Sequence, residues 1–259
     1  MLPIGHITHI DHIFQTMLLK TRGIVFRTLK YGETSVIADI FTEEKGLHTF
    51  IGGSVRTAKA KMSFGLFQPM TIVDAVAYFR DEPGALNRLK ELRADELFRA
   101  IPFDIRRGAV VLFMAEICRK SIREAEENRD LFRFLLDSLL WLDSTPHPIA
   151  NLHLHFLLGL SGYLGFQPQT ELAMGQESFF DLQEGVFLPV PPAHLLYLEP
   201  AQTQQILDLL ETPLEECHTV ALTRPERKAL LQRLLQFYHL HVTGFTEINT
   251  PDVLEMVME

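Results

Sequence analysis

Between Met17 and Phe79, apolar and polar residues alternate in several short runs separated by turn residues, and a period of two restricts this stretch to β-structure. Successive side chains of a strand point to opposite faces, so Val36, Ala38 and Ile40 line one side of a run and Ile37, Asp39 and Phe41 the other. Four runs are readable, over residues 22–29, 35–42, 47–52 and 69–79, and Leu86 to Leu92 supplies a candidate fifth. Glu43-Glu44-Lys45-Gly46 closes a hairpin in which Gly46 is free to take a positive φ. Five short strands with no helical pattern among them suit a small closed barrel better than an open sheet, because closure removes exposed edges.

The OB-fold is one such barrel. Its ligands are single-stranded nucleic acid or oligosaccharide, held across the strands by stacking aromatics and a basic groove. Charge separates the two classes. The whole chain carries a formal charge of −9, a poor balance for a DNA binder, yet residues 17–80 hold nine Lys and Arg against five Asp and Glu. The barrel alone is basic. Its loop from Gly52 to Gly65 carries Arg56, Lys59 and Lys61 with no acidic residue, and Gly52-Gly53 lets the backbone bend close to a phosphate chain. Such a loop binds phosphates without reading base sequence; a solvated surface loop is the plain alternative.

A chain of 259 residues with 47% apolar content is long enough for two abutting domains. It has no run of about eighteen apolar residues for a membrane span, and no charged segment leading into a cleavable apolar stretch. A cytoplasmic protein without a membrane partner is therefore expected, nucleoid-associated if the barrel binds DNA. Cys118 and Cys217 lie far apart in sequence and are expected as thiols, Cys118 sharing an apolar helical stripe. Residues 1–16 carry no Lys or Arg and precede a fresh Met-Leu-Leu-Lys, so they read as an extension upstream of a start at Met17. His6, His9 and His12 recur there at every third residue, which drifts about 60° per step around a helix and aligns three rings poorly for a metal. A peripheral tail is the simpler reading.

After Leu92 the period turns helical. Residues 105–122 place Val110, Phe113, Met114 and Ile117 on one stripe, and a second helix from about Asn128 buries Leu131, Phe134, Leu135, Leu139 and Leu142. Thr145-Pro146-His147-Pro148 stops it. A third helix, from about Ile149 to Tyr163, is apolar almost all round and so belongs at the centre of a bundle, with Asn151, His153 and His155 as its few polar points. Thr223-Arg224-Pro225-Glu226 is a capping box announcing a last long helix with Leu230, Leu231, Leu234, Phe237 and Tyr238 on its stripe. Phe166 to Pro192 reads as an irregular excursion with a hairpin around Glu184-Gly185. The expected fold is α+β and multidomain: an N-terminal OB-fold β-barrel over residues 17–97, then an α-helical domain over residues 98–259 with the excursion at about 167–192.

The combination RGIVFRTLKYGETSVIADIFTEEKG, then GGSVRTAKAKMSFG, then LFQPM, resembles the RecO recombination mediators of bacteria. The likeness extends through LNRLKELRADELF, AVVLFMAEICRKS, NRDLFRFLLDSLLWL and LLGLSGYLGFQP, and so spans Met17 to about Phe166. It implies an N-terminal OB-fold that binds single- and double-stranded DNA and an α-helical C-terminal domain. It also implies annealing of complementary strands, and loading of RecA onto strands coated by single-strand binding protein (SSB), with RecR as partner. Several relatives hold a four-cysteine zinc module at the excursion; all of those cysteines are missing here, so no zinc is expected, and Phe179, Phe180 and Phe187 are expected to hold the hairpin instead.

The resemblance further implies that the acidic C-terminal tail of SSB docks in the helical domain, in an apolar socket bordered by a cation. Leu158, Tyr163 and Leu164 are candidates for the socket. Where many relatives place Arg, this chain has His153 and His155, and a neutral imidazole is a weaker partner for a carboxylate: either His155 borders the pocket, or the pocket has moved, uses Arg224 or Arg227, or is lost, with core packing of both histidines the preferred reading. Residues 134–223 contain no Lys or Arg among eleven Asp and Glu, a face that repels DNA or meets a basic partner, or is simply a solubilising surface.

No phosphate-binding GxxxxGK[ST] loop, HExxH sequence or carboxylate cluster for Mg²⁺ is present; Asp39, Glu43 and Glu44 sit on a strand and turn and diverge. The chain reads as a non-enzymatic DNA mediator without a cofactor. Arg22, Arg27, Lys30, Arg56, Lys59 and Lys61 are expected on the DNA backbone, and Phe26, Tyr31 or Phe64 against bases. The competing reading is a protein-interaction adaptor with weak DNA binding, motivated by the net charge; a third is an OB module for structured RNA.

Overall fold

A computed structural model of the chain describes residues 16–55, 57, 62–82, 84–169 and 178–258. Its first five strands are β1 (Met17–Tyr31), β2 (Ser35–Thr42), β3 (Gly46–Gly52), β4 (Ile72–Phe79) and β5 (Leu86–Ala94). They close into a barrel in the order β1-β2-β3-β5-β4, every pair antiparallel except β3 with β5. β1 serves two neighbours. Met17 to Ile24 pairs with β4 and Gly23 to Tyr31 with β2, and a bulge between Val25 and Arg27 follows the corner. The OB-fold expectation therefore holds, with the strands running one to five residues beyond the sequence-read limits at several ends.

The period of two becomes two cores. Val36, Ala38, Ile40, Phe50 and Val73 fill the barrel. Ile24, Phe26, Phe41 and Ile72, on the outside of the barrel strands, and Met70 in the turn before β4 join the core of the helical domain. Outward-facing apolar residues on an OB barrel are thus accounted for by what covers them. A 3-10 turn at Phe64–Phe67 plugs the barrel, and Phe67 packs so closely on Gly52 that an added Cβ there would stand 2.9 Å from its ring.

The helices are α1 (Ile105–Ser121), α2 (Arg129–Ser144), α3 (Leu152–Tyr163), α4 (Pro200–Glu211), α5 (Arg224–His241) and α6 (Thr250–Val257). α3 lies at the centre, packed on α1, α2, α4 and α5, as its all-round apolar surface requires. Thr223 and Glu226 form the reciprocal capping box at the start of α5. The excursion is more regular than its sequence: β6 (Phe179–Asp181), β7 (Val186–Leu188) and β8 (Tyr197–Leu198) form a sheet in the order β7-β6-β8. Phe180 and Phe187 pack at 4.9 Å between ring centroids and Phe180 reaches Phe237 at 5.4 Å, whereas Phe179 turns to Tyr197 at 5.7 Å. Residues 170–177 of that segment lie outside the described residues, as do His6, His9 and His12.

Two acidic side chains fix the layout. Buried Glu116 on α1 accepts the backbone N–H groups of Asn249 at 3.0 Å and Thr250 at 2.9 Å and the Thr250 hydroxyl at 2.8 Å, supplying the open end of α6 with an acceptor and pairing with Lys120 at 2.9 Å. Asp143 on α2 accepts the N–H groups of Arg99, Ala100 and Ile101 at 2.8, 2.8 and 2.9 Å, which pins the connection between barrel and helices.

Candidate nucleic-acid interface

One rim of the barrel gathers part of the expected DNA-binding set. Lys30 and Tyr31 are exposed at the tip of the β1–β2 hairpin, where Gly32 takes a φ of 59°. Val36 opposite Gly52 in the β2–β3 register brings this tip beside the start of the glycine loop. Both ends of the loop are anchored, since Val55 and Met62 are buried in the barrel core. Phe64 follows, 40% exposed, on the 3-10 turn that the Thr28 hydroxyl ties to β1 through a 2.7 Å bond to the Phe67 carbonyl. Arg56, Lys59 and Lys61 lie outside the described residues. Lys30 pairs with no carboxylate among the described residues, so its ammonium is open to an anionic ligand.

Three of the expected residues do structural work instead. Phe26 is 2% exposed, so it offers no face to a base: the bulge beside it turns the ring away from the barrel onto Phe41, stacked at 5.6 Å. That expectation is corrected. Arg22 donates from Nε to Asp95 at 2.8 Å and lies 5.8 Å from the centre of the Phe132 ring, a tie between barrel, connection and α2. Arg27 donates to Asp39 at 2.8 Å, and Thr49 donates to the same carboxylate at 3.0 Å. Both guanidinium groups thus already have a carboxylate, which a phosphate would have to displace.

The expected peptide pocket is divided between the two ends of α3. Arg224 and Arg227 line a cleft of about 190 Å³ between α5 and α6, together with His153, Leu231, Leu235 and Leu254. His153 is buried edge-on to Phe113 at 6.0 Å, its Nδ1 without a hydrogen-bond partner; burial, with Arg227 adding to it, lowers its pKa to about 4 and keeps the ring neutral. His155 bonds the Thr212 carbonyl at 2.9 Å, and burial lowers its pKa as well. Leu158 is in the core, Tyr163 leans on Phe134 at 4.9 Å, and Leu164 lines a separate groove with Arg123 and His241. The apolar candidates and the cations therefore do not form one site, and the apolar residues beside the cations come from α5 and α6 instead. Capping-box chemistry located α5, but the greasy wall from α6 had no strong signal in its eight residues.

A family model described as recombination protein O N terminal matches residues 17–98, and one described as recombination protein O C terminal matches residues 102–246. The chain belongs to the RecO family. Among curated RecO proteins, the DNA repair protein RecO of Bacteroides fragilis is 36% identical over 244 residues, covering 94% of this chain and all of the relative. That of Flavobacterium psychrophilum is 34% identical over 242 residues, 93% of this chain and 99% of the relative. The RecO of Porphyromonas gingivalis is 27% identical over 248 residues and is covered completely. Membership agrees with a barrel followed by helices. Among the described residues, no group of three or more His, Cys, Asp or Glu is placed to hold a metal ion, and no helix is long and apolar enough to cross a membrane.

Proposed function

We propose that this RecO-family chain acts in DNA repair and recombination as a non-catalytic binder of single- and double-stranded DNA. It anneals complementary strands and, with RecR, helps RecA onto strands covered by SSB. The observation that carries the reading is the barrel rim, where exposed Lys30, Tyr31 and Phe64 surround the two anchored ends of the glycine-framed basic loop. Cations neutralise phosphates at any sequence, and neighbouring aromatic faces stack on any base, as a mediator that must act on every strand requires. The acidic tail of SSB is assigned to the α5–α6 cleft, where apolar Leu231, Leu235 and Leu254 lie beside Arg224 and Arg227, while Lys228 is paired with Glu255 at 2.6 Å.

The test is fluorescence anisotropy of labelled single-stranded DNA across a salt series, with the triple variant Arg56→Ala, Lys59→Ala, Lys61→Ala alongside. Steep salt dependence in the wild type, with a slope reduced by about two to three units in the variant, supports the mediator. DNA binding unaltered by the three changes overturns the role of the loop. Absent DNA binding with retained RecR binding transfers the assignment to a protein adaptor.

A further inference from the structure

The register of the barrel places a second set of cations around one exposed aromatic ring, on a wall away from the hairpin tip. Tyr78 on β4 stands between Leu18 on β1 and Arg88 on β5 as direct cross-strand partners, and all three face solvent. Tyr78 is 46% exposed and stacks on no ring among the described residues. Lys20 pairs with Val76 along the same face, and Lys90 is the extra residue where the β4–β5 register shifts, so both lie within two residues of Tyr78 or Arg88. Lys20, Arg88 and Lys90 are exposed, and none has an ion-pair partner among the described residues. Of the nearby carboxylates, Glu91 holds Arg93 at 3.2 Å and Asp81 holds Lys45 at 2.9 Å, leaving Glu82 at the turn and Asp74, two residues before Val76 on β4. The parallel pairing of Ile51 with Arg88 joins this wall to β3, one residue before the glycine pair that opens the basic loop.

We propose that a single strand of nucleic acid leaving the basic loop continues across β3 and β5 onto this wall, with Tyr78 as a stacking platform and Lys20, Arg88 and Lys90 as phosphate contacts. This rests on the DNA-binding reading above and extends the site. An unengaged phenol ring flanked by unpaired cations is the pattern by which sequence-tolerant single-strand sites are built. Adjacent strands are about 4.8 Å apart, so the step from Ile51 through Arg88 to Tyr78 is roughly 10 Å, the reach of one or two further nucleotides. A protein partner is the alternative occupant; three cations around one aromatic ring, with only Leu18 and Leu86 as exposed apolar neighbours, favour a polyanion.

The test uses the full chain with two variants. Tyr78→Trp places an indole on the wall, and its emission, measured against the background of the one native tryptophan, is expected to be quenched by a twenty-residue oligothymidylate. Arg88→Ala with Lys90→Ala, both exposed on the outer face, is expected to weaken binding of the same oligonucleotide roughly tenfold and to lower the salt slope by about one to one and a half units. Wild-type binding that the loop variant loses, with an unquenched Tyr78→Trp and an unchanged Arg88/Lys90 variant, overturns this wall and leaves the loop assignment standing. Loss of RecR binding by the Arg88/Lys90 variant, with DNA affinity intact, also overturns it. A wild type that binds no DNA removes both.

Discussion

A carboxylate with 8% of its side chain exposed persists in the helical core because it is fully engaged. Burial by itself would raise the Glu116 carboxyl, but the ammonium of Lys120 and the donors of Thr250 and Asn249 outweigh it and hold the pKa at about 2 against an ordinary 4.5. Because the folded pKa is the lower one, the stabilisation is complete above pH 4.5 and is lost as pH falls from there through 2. It amounts to on the order of 3 kcal/mol. His153 acts in the same direction from another cause: its ring is neutral when folded, with a pKa of about 4, so the unfolded chain takes up a proton first and stability declines between pH 6.5 and 4. Equilibrium unfolding at a series of pH values should show both slopes, with Glu116→Gln flattening the lower limb and His153→Phe the upper. An unchanged lower limb in Glu116→Gln would mean that the carboxylate does not carry the end of α6.

The β2–β3 hairpin shows how an element depends on a single missing Cβ. Gly46 has a φ of 70°, and an added Cβ would stand 2.2 Å from the Glu126 carbonyl oxygen, because the chain between α1 and α2 crosses this turn and Leu47 donates to the Glu124 carbonyl at 3.0 Å. Gly46→Ala therefore meets both a left-handed backbone and a fixed chain, and should cost about 2 kcal/mol or more, read as a lowered denaturation midpoint. The positive φ at Gly46 was legible from its turn; the crossing chain was not, since nothing local to residues 43–46 encodes a contact with residues 124–126. The same division runs through the other elements. Alternation over residues 35–42 located β2 to the residue, and the capping box located α5. β8, with two residues, and α6, with eight, are too short for periodicity to separate from loop. Phe26 is not legible as buried, because alternation says which side a residue is on and not whether another domain covers that side. Tyr78 is the mirror image: alternation places it on one side of β4 and does not say that this side is left uncovered.

At the scale of the whole molecule, barrel and helices share one apolar core through Ile24, Phe26, Phe41, Met70 and Ile72. Phe41 stacks on Phe132 of α2 at 6.3 Å, and the Arg22–Asp95 pair lies over the same ring. Calorimetry should accordingly give one unfolding transition, with the barrel melting together with the helices; two separated transitions would mean that this contact surface contributes little. Phe41→Ala should lower that single transition by the equivalent of about 3–5 kcal/mol. The pinning of Arg99, Ala100 and Ile101 by Asp143 bears on how such a chain is cut. A boundary between two sequence families of residues is where a protease normally enters, and Arg93, Arg99, Arg106 and Arg107 offer trypsin four bonds near it. Cleavage needs the backbone around the bond to be freed of its hydrogen bonds, and here three consecutive amides are fastened to one carboxylate. Digestion of the native chain will leave that junction intact until the fold itself gives way.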